Sequence, residues 1–269
     1  AVAFSPVAVN KFFHTVLSSW VLGAVFVIGI SCWFLLKKRD KEFAVASIKI
    51  GAVFGLVASL LTVWTGDGSG YAIAQTQPMK LAAVEGYYEG QNGAGLVAVG
   101  LLNPEKKTYD DGQDPFLFRI EIPKMLSLLA ERKVDAFVPG IKNIIEGGYE
   151  LKDGTKALSA AEKIEKGKKA IAALATYRTA KKEGDEAAAK EAYTTLQENV
   201  PYFGYGYIKD VNQLVPNVPL NFYAFRVMVI LGGYFILFFI LVLFFAYKKD
   251  LSKIRWMQYV ALWTIPLAY

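Results

Sequence analysis

Gly66–Gln91 reads GDGSGYAIAQTQPMKLAAVEGYYEGQ, and the chain changes character across it. Before it lies a run that is almost wholly apolar. The stretch opens about 150 residues of polar, water-compatible sequence, which end at another very apolar run. The glycines at 66, 68 and 70, with Asp67 and Ser69 able to bond nearby backbone, predict a turn. A short helical run carrying Lys80, Glu85 and Glu89 is predicted after it. Charged groups placed where a polar loop meets an apolar helix suit a site that handles protons or the head of a polar ligand.

Working outward, the composition is that of a membrane protein. Hydrophobic residues make up 54% of the 269, and they are bunched rather than periodic. Lys11 to Leu36 is nearly uncharged and long enough, at about 1.5 Å per residue, to cross about 30 Å of hydrocarbon. KKRDK (Lys37–Lys41) is a tight charged turn, and Phe43–Thr65 is a second span with Lys49 placed to snorkel. Asn221–Tyr247 and the run from Arg255 onward are the third and fourth, separated by KKDLSKIR. The expected fold is an all-α membrane protein, a transmembrane helix bundle of about four spans with a large, mostly helical extracytoplasmic loop. Its parts are a transmembrane hairpin (1–65), the loop (66–217), and transmembrane helices with the last one truncated (218–269). Ala1 opens without Met and the chain stops inside an apolar run, so a piece of a longer protein is expected.

The formal charge of +6 raises the question of nucleic acid, and its distribution answers it. Gly66–Pro216 holds 19 basic and 21 acidic residues, and the rest holds 11 basic and 3 acidic, mostly in the two short turns. The basicity is topological, with no nucleic-acid footprint. Each short turn carries four basic residues, so positive-inside places both in the cytoplasm and the long loop outside. Cys32, the sole cysteine, sits in an apolar run and reads as a small core residue.

Within the loop, FLFRIEIPKMLSLL (Phe116–Leu129) reads as a short strand or interfacial segment followed by a helix start at Pro123. VPGIKNIIEGGYE holds a short helix ended by Gly147 and Gly148. Ser159–Lys182 and Asp185–Asn199 form a solvated helical hairpin, and PYFGYGY (Pro201–Tyr207) suits a membrane interface or a ligand edge.

The candidates for chemistry are few. His14 is the only histidine and lies near the outer end of the first span, and Met228 lies near the outer end of the third. From His14 to Leu36 is about 33 Å of helix, and from Met228 to Tyr247 about 29 Å, so the two fall at similar depth. A His/Met pair is a set of axial ligands for an electron-transfer haem, although either residue taken alone is also ordinary packing. Arg226 either snorkels to headgroups or meets an anion such as a haem propionate. Glu85 and Glu89 share a helical face, whereas Lys80 and Glu85 diverge by about 140°. They either grip a ligand from two sides or belong to a solvated helix. A carboxylate so placed can accept a proton from a hydroxyl.

KFFHTVLSSWVLGAVFVIGISCWFLLKKRD, GDGSGYAIAQTQPMKLAAVEGYYEGQ, IPKMLSLLAERKVDAFVPGIK, VPLNFYAFRVMVILGG and IRWMQYVALWTIPLAY, in that order, resemble subunit I of the cytochrome bd quinol oxidases. The resemblance implies that His14 (in FFHT) and Met228 (in FRVM) are the axial iron ligands of a low-spin haem b, with Arg226 supporting that haem. It places Lys80 and Glu85 (in KLAAVE) where quinol is bound and oxidised. It also implies a second membrane subunit and residence in the cell inner (cytoplasmic) membrane, with protons released outside. High-spin haem b and haem d are expected only in the full-length subunit, since none of the segments carrying their ligands is here. Alone, this segment is not expected to reduce oxygen. Gly68, where the family usually has an acidic residue, and Tyr88, where it often has tryptophan, are departures that bear on ubiquinol against menaquinol. The hairpin resembles the insertion of members with a long quinol loop. The competing reading is a membrane receptor or sensor with the loop as ligand-binding domain, in which His14 and Met228 are replaceable packing residues. A transporter would show internal repeats or helices broken at the midplane, and neither is present.

Overall fold

The computed structural model describes residues 4–269. Helix α1 (Pro6–Leu36) starts with Ser5 as N-cap, whose hydroxyl accepts from the Ala8 N–H at 3.2 Å, and Pro6 stands in its first turn, where no N–H is needed. Lys38 and Asp40, both with positive φ, carry the tight turn into α2 (Lys41–Thr76). The loop segment holds α3 (Pro78–Glu85), β1 (Gln91–Asn92), β2 (Leu96–Leu102), β3 (Phe116–Ile122), α4 (Met125–Glu131), β4 (Phe137–Val138), α5 (Ile141–Glu146), α6 (Ala160–Glu183) and α7 (Glu186–Asn199). The chain then returns to α8 (Val218–Lys248) and α9 (Arg255–Thr264).

Among the described residues three helices, α1, α2 and α8, are long and apolar enough to cross a membrane. In hydrocarbon every backbone N–H and C=O must be satisfied within the segment, which is why these stretches form unbroken helices. The fourth expected span is only the ten-residue α9, about 15 Å long, continued by a 3₁₀ turn at Ile265–Leu267 that contains Pro266.

The chain divides into two compact units. The first comprises Ala1–Ile73 and Ala224–Tyr269. Its core is Val21, Val25 and Ile28 of α1, Ile48 and Ala52 of α2, Phe238, Phe239 and Val242 of α8, and Met257 of α9, with Cys32 buried among them. Small residues set the spacing. A Cβ on Gly51 would meet Ile28 at 3.2 Å, and one on Gly55 would collide with the Phe239 ring and lie 2.8 Å from the Ala24 Cβ. Lys49 lies 4.7 Å from the centre of the Tyr247 ring, so α8 runs antiparallel to α2 and parallel to α1. Tyr234 and Thr264 share a 2.5 Å hydrogen bond between α8 and α9, and buried Gln258 donates to the Leu251 carbonyl at 2.8 Å.

The expected turn at Gly66–Gly70 is instead part of α2, which continues to Thr76. These glycines serve close approach: Gly66 faces the His14 ring, where a Cβ would sit 3.3 Å from Cε1, and Gly68 faces the Asn10 amide at 3.4 Å. Tertiary contacts override their poor helix propensity.

The second unit is Ala74–Tyr223, and it is not wholly helical. Strands β2 and β3 pair antiparallel, Leu96 opposite Ile122 and Gly100 opposite Arg119, and β1 pairs with β4. The strand alternative for Phe116 onward is the one the structure takes, because Val, Ile and Phe side chains pack across a pleated pair. Helix α6 opens with a capping box, the Glu162 N–H reaching Ser159 Oγ at 3.2 Å and Ser159 N–H reaching Glu162 at 2.7 Å. It ends at Gly184 with φ +77° and pairs with α7 as expected, the tilted rings of Tyr177 and Tyr193 lying 5.6 Å apart. PYFGYGY forms a 3₁₀ helix (Val200–Tyr207) lying on α6. Gly167 and Gly206 meet there backbone to backbone, so the glycines fit helix packing rather than a ligand edge.

The glycine contact in the first unit makes a direct prediction. Gly55→Leu should lower stability by about 1–3 kcal/mol, because the added side chain has no space beside Phe239 and Ala24. Gly23→Leu, with nothing within 4 Å of the added Cβ, should leave it nearly unchanged. Thermal unfolding of the two variants in detergent checks the pair, and equal transition temperatures would contradict the packing of α2 on α8.

Candidate functional site

In the first unit, His14 stands on α1, half-buried, with Nδ1 3.0 Å from Thr65 Oγ1 on α2. Thr65 Oγ1 is also 3.1 Å from the carbonyls of Leu61 and Thr62, one turn back on its own helix. Asn10, one turn before His14, donates to the Thr65 carbonyl at 3.0 Å and to Ser69 Oγ at 2.7 Å. Asn10 and His14 are four residues apart and share a face, so α1 presents both to α2 at one level. Thr65 and Asn10 escape a reading by motif, since each is an ordinary residue made relevant by pairing 51 or more positions away. The signal available was depth: Thr65 is about 36 Å of helix from Lys41, close to the 33 Å between His14 and Leu36.

Met228 lies on α8, half-exposed. The contact of Phe239 with Gly55 and Ala24 fixes a common level in the core. From it, His14 is about 15 Å along α1 and Met228 about 16 Å along α8, in the same direction. The two share a level on helices of one core. Arg226 is buried, with its guanidinium 5.4 Å from the centre of the Phe225 ring. Two residues apart on a helix, Arg226 and Met228 point to nearly opposite sides, so the buried cation and the exposed thioether do not share a face.

In the second unit, α3 buries Ala82, Ala83 and Glu85 and leaves Lys80 exposed. Ala82 and Ala83 pack on Ile141, Ile144 and Ile145 of α5, and Gly86, at φ +62°, ends the helix in the left-handed region that glycine favours. Glu85 is thus held buried at a helix terminus. Lys80 and Glu85 are not brought together. Directly after Glu85 the chain lines a cleft of about 440 Å³ with Tyr87, Tyr88, Lys106, Arg119 and Lys142 among its walls. Neither Lys80 nor Glu85 lines it. Burial pushes the Tyr87 hydroxyl up to about 12 and raises that of Tyr88 as well. One wall is a tight polar knot. Asp111 accepts from Lys106 Nζ at 2.6 Å and from the N–H groups of Lys107, Thr108 and Gln113 at 2.7 to 3.0 Å. The Lys106 ammonium also lies 4.8 Å from the centre of the Tyr88 ring. Lys106 and the backbone donors hold the Asp111 carboxyl well below the usual carboxylate range.

The family model for cytochrome bd terminal oxidase subunit I matches residues 1–269. The chain belongs to that family. It is 32% identical over 284 residues to the cytochrome bd-II ubiquinol oxidase subunit 1 of Escherichia coli K12, covering 99% of this chain and 50% of that protein. It is 30% identical over 136 residues to the cytochrome bd ubiquinol oxidase subunit 1 of Bacillus subtilis 168, covering 50% of this chain and 27% of that one. The solved bd oxidase of Geobacillus thermodenitrificans matches with a TM-score of 0.46 at 20% identity, over 98% of this chain and 57% of that one. This cytochrome bd segment therefore spans about half the length of its Escherichia coli relative.

Cytochrome bd oxidases are haem proteins, and the residues present fit such a group. His14 has Nδ1 engaged by Thr65, and Nε2 makes no hydrogen bond among the described residues. Met228 has its side chain half-exposed, and one turn further Gly232 leaves open space where a Cβ would stand. A bare ion would find little here, since no group of three or more His, Cys, Asp or Glu is clustered among the described residues.

The Asp111 knot gives the cleft wall an acid dependence. Because the folded carboxyl titrates below its unfolded value, its contribution is complete above about pH 4 and is lost as pH falls. Amide hydrogen exchange in residues 103–114 should be slow at pH 7, and, after correction for intrinsic rates, less protected at pH 3. Asp111→Asn should show the low protection already at pH 7, and a pH-independent difference between the two proteins would contradict the knot.

Proposed function

We propose that this chain is the quinol-facing part of a cytochrome bd quinol oxidase subunit I, which oxidises quinol and passes electrons to a low-spin haem b. The observation that carries the reading is the matched level of His14 and Met228 on two helices of one core, in a chain of this family. In it, His14 Nε2 and Met228 Sδ would hold the haem iron. A haem bound there would supply one-electron redox chemistry. Arg226, on the buried side of α8 and half a turn from Met228, would supply positive charge to a haem carboxylate that reaches that side of the helix.

Quinol oxidation belongs to the second unit. Glu85, buried at the end of α3, takes a proton from the quinol hydroxyl, and exposed Lys80, on another side of α3, offers a cation to a quinol oxygen. The cleft that begins at Gly86 gives a flat aromatic headgroup space among tyrosines. Each quinol yields two protons and two electrons, and the protons leave on the outer side, where the four-lysine-and-arginine turns place this segment. In the full-length subunit, high-spin haem b and haem d would supply the oxygen-reducing chemistry, and a second membrane subunit would complete the complex in the inner membrane.

The test uses the full-length subunit assembled in its complex. His14→Ala and Met228→Leu should each abolish the low-spin b band in the reduced-minus-oxidised spectrum or convert it to high spin, and an unchanged band in either would overturn the ligand pair. Glu85→Gln should lower quinol oxidation by about 10²-fold or more while dithionite still reduces every haem. Unchanged quinol turnover would remove Glu85 from the reaction.

A further inference from the structure

Thr65 stands beside the single histidine, and two backbone carbonyls compete with the ring for its one hydroxyl hydrogen. One hydroxyl has one hydrogen, and two carbonyls of its own helix, those of Leu61 and Thr62, lie 3.1 Å from Oγ1. Given to either carbonyl, that hydrogen leaves the oxygen able only to accept towards His14 Nδ1, 3.0 Å away. Nδ1 must then carry the ring proton, and Nε2 must carry the lone pair. We propose that Thr65 is a positioning residue that selects the Nε2-coordinating tautomer of His14, fixes the plane of its ring and raises its basicity. The proposal rests on the reading of His14 as an iron ligand.

Two further contacts hold the arrangement. Asn10 donates to the Thr65 carbonyl and to Ser69 Oγ, pinning α1 to α2 one turn from the imidazole on the same face. Gly66, next to Thr65, leaves room for the ring edge, and a Cβ there would stand 3.3 Å from His14 Cε1. The ring is thus bonded at Nδ1 and flanked at Cε1 by the helix opposite. Hydrogen bonds from the non-coordinating nitrogen of a metal-bound imidazole orient it and make it the stronger donor. A stronger donor favours the ferric over the ferrous state and lowers the midpoint potential of the iron. A serine can do the same at this position, and a valine of nearly the same shape cannot.

The experiment compares Thr65→Val and Thr65→Ser in the full-length subunit assembled in its complex, with His14→Ala alongside. Redox titration of the low-spin b band and the g-values of its ferric electron paramagnetic resonance are the readouts. Thr65→Val should keep the low-spin band, raise its midpoint potential and broaden or shift the highest g-value, while Thr65→Ser restores both to wild type. If Thr65→Val matches wild type in potential and g-values while His14→Ala loses the low-spin haem, the positioning role is overturned and the ligand reading stands. If His14→Ala keeps the low-spin haem, the ligand reading fails and Thr65 falls with it. If serine fails to restore what valine loses, the effect is one of packing and the hydrogen-bond role is overturned.

Discussion

The close approach of α1 and α2 is the constraint on which the first unit depends. Water is not available to satisfy backbone groups within hydrocarbon, so these segments must be helices, and helices gain little from apolar burial against one another there. What holds them is contact over small residues. Gly51 lies against Ile28, and Gly55 takes the Phe239 ring beside Ala24, which draws in α8 at the same level. That arrangement sets the register of all three helices. Once it is set, His14 must fall beside Thr65, and Asn10 beside Ser69, because both pairs follow from counting along antiparallel helices.

The polar contacts near the His14 end follow from this. Asn10, Thr65 and Ser69 would each be costly in an apolar environment if left unsatisfied, and together they satisfy one another or their own backbone. The glycines of GDGSG work in the same system. They let α2 continue to Thr76 with the His14 ring and the Asn10 amide close against it. A helix here carries the polar stretch out of the apolar run without a break, so the backbone never presents unpaired groups at that level.

In the second unit the chemistry of water-facing folds returns. Caps, left-handed glycines and a capping box define helix ends, and antiparallel pairs with bulges define the strands. Glu85 is buried because α3 is short and turns its alanines onto α5. Lys80, five residues earlier, points elsewhere for the helical reason that the sequence already contains. The cleft beside them depends on the Lys106–Asp111 knot. That knot brings a cation to the Tyr88 ring and satisfies three backbone N–H groups of a loop that has no ladder of its own.

The sequence by itself determined the apolar helices, the charged turns, the α6–α7 hairpin and the similar depth of His14 and Met228. Each rests on local pattern, on hydrophobic length, on caps and on helical rise, which need no partner to be read. The divergence of Lys80 from Glu85 was legible for the same reason. Only the tertiary structure decided that GDGSG is helix rather than turn, that Pro201–Tyr207 packs on α6 and that Phe116 opens a strand. In each case a glycine's or a phenylalanine's role was set by a neighbour distant in sequence: His14 for Gly66, Gly167 for Gly206, and the Leu96–Leu102 strand for Phe116. The cleft walls and Thr65 belong to the same class. Their meaning lies in side chains brought within about 3 Å from positions far apart in the chain, and a one-dimensional pattern of hydrophobicity and charge does not contain those distances.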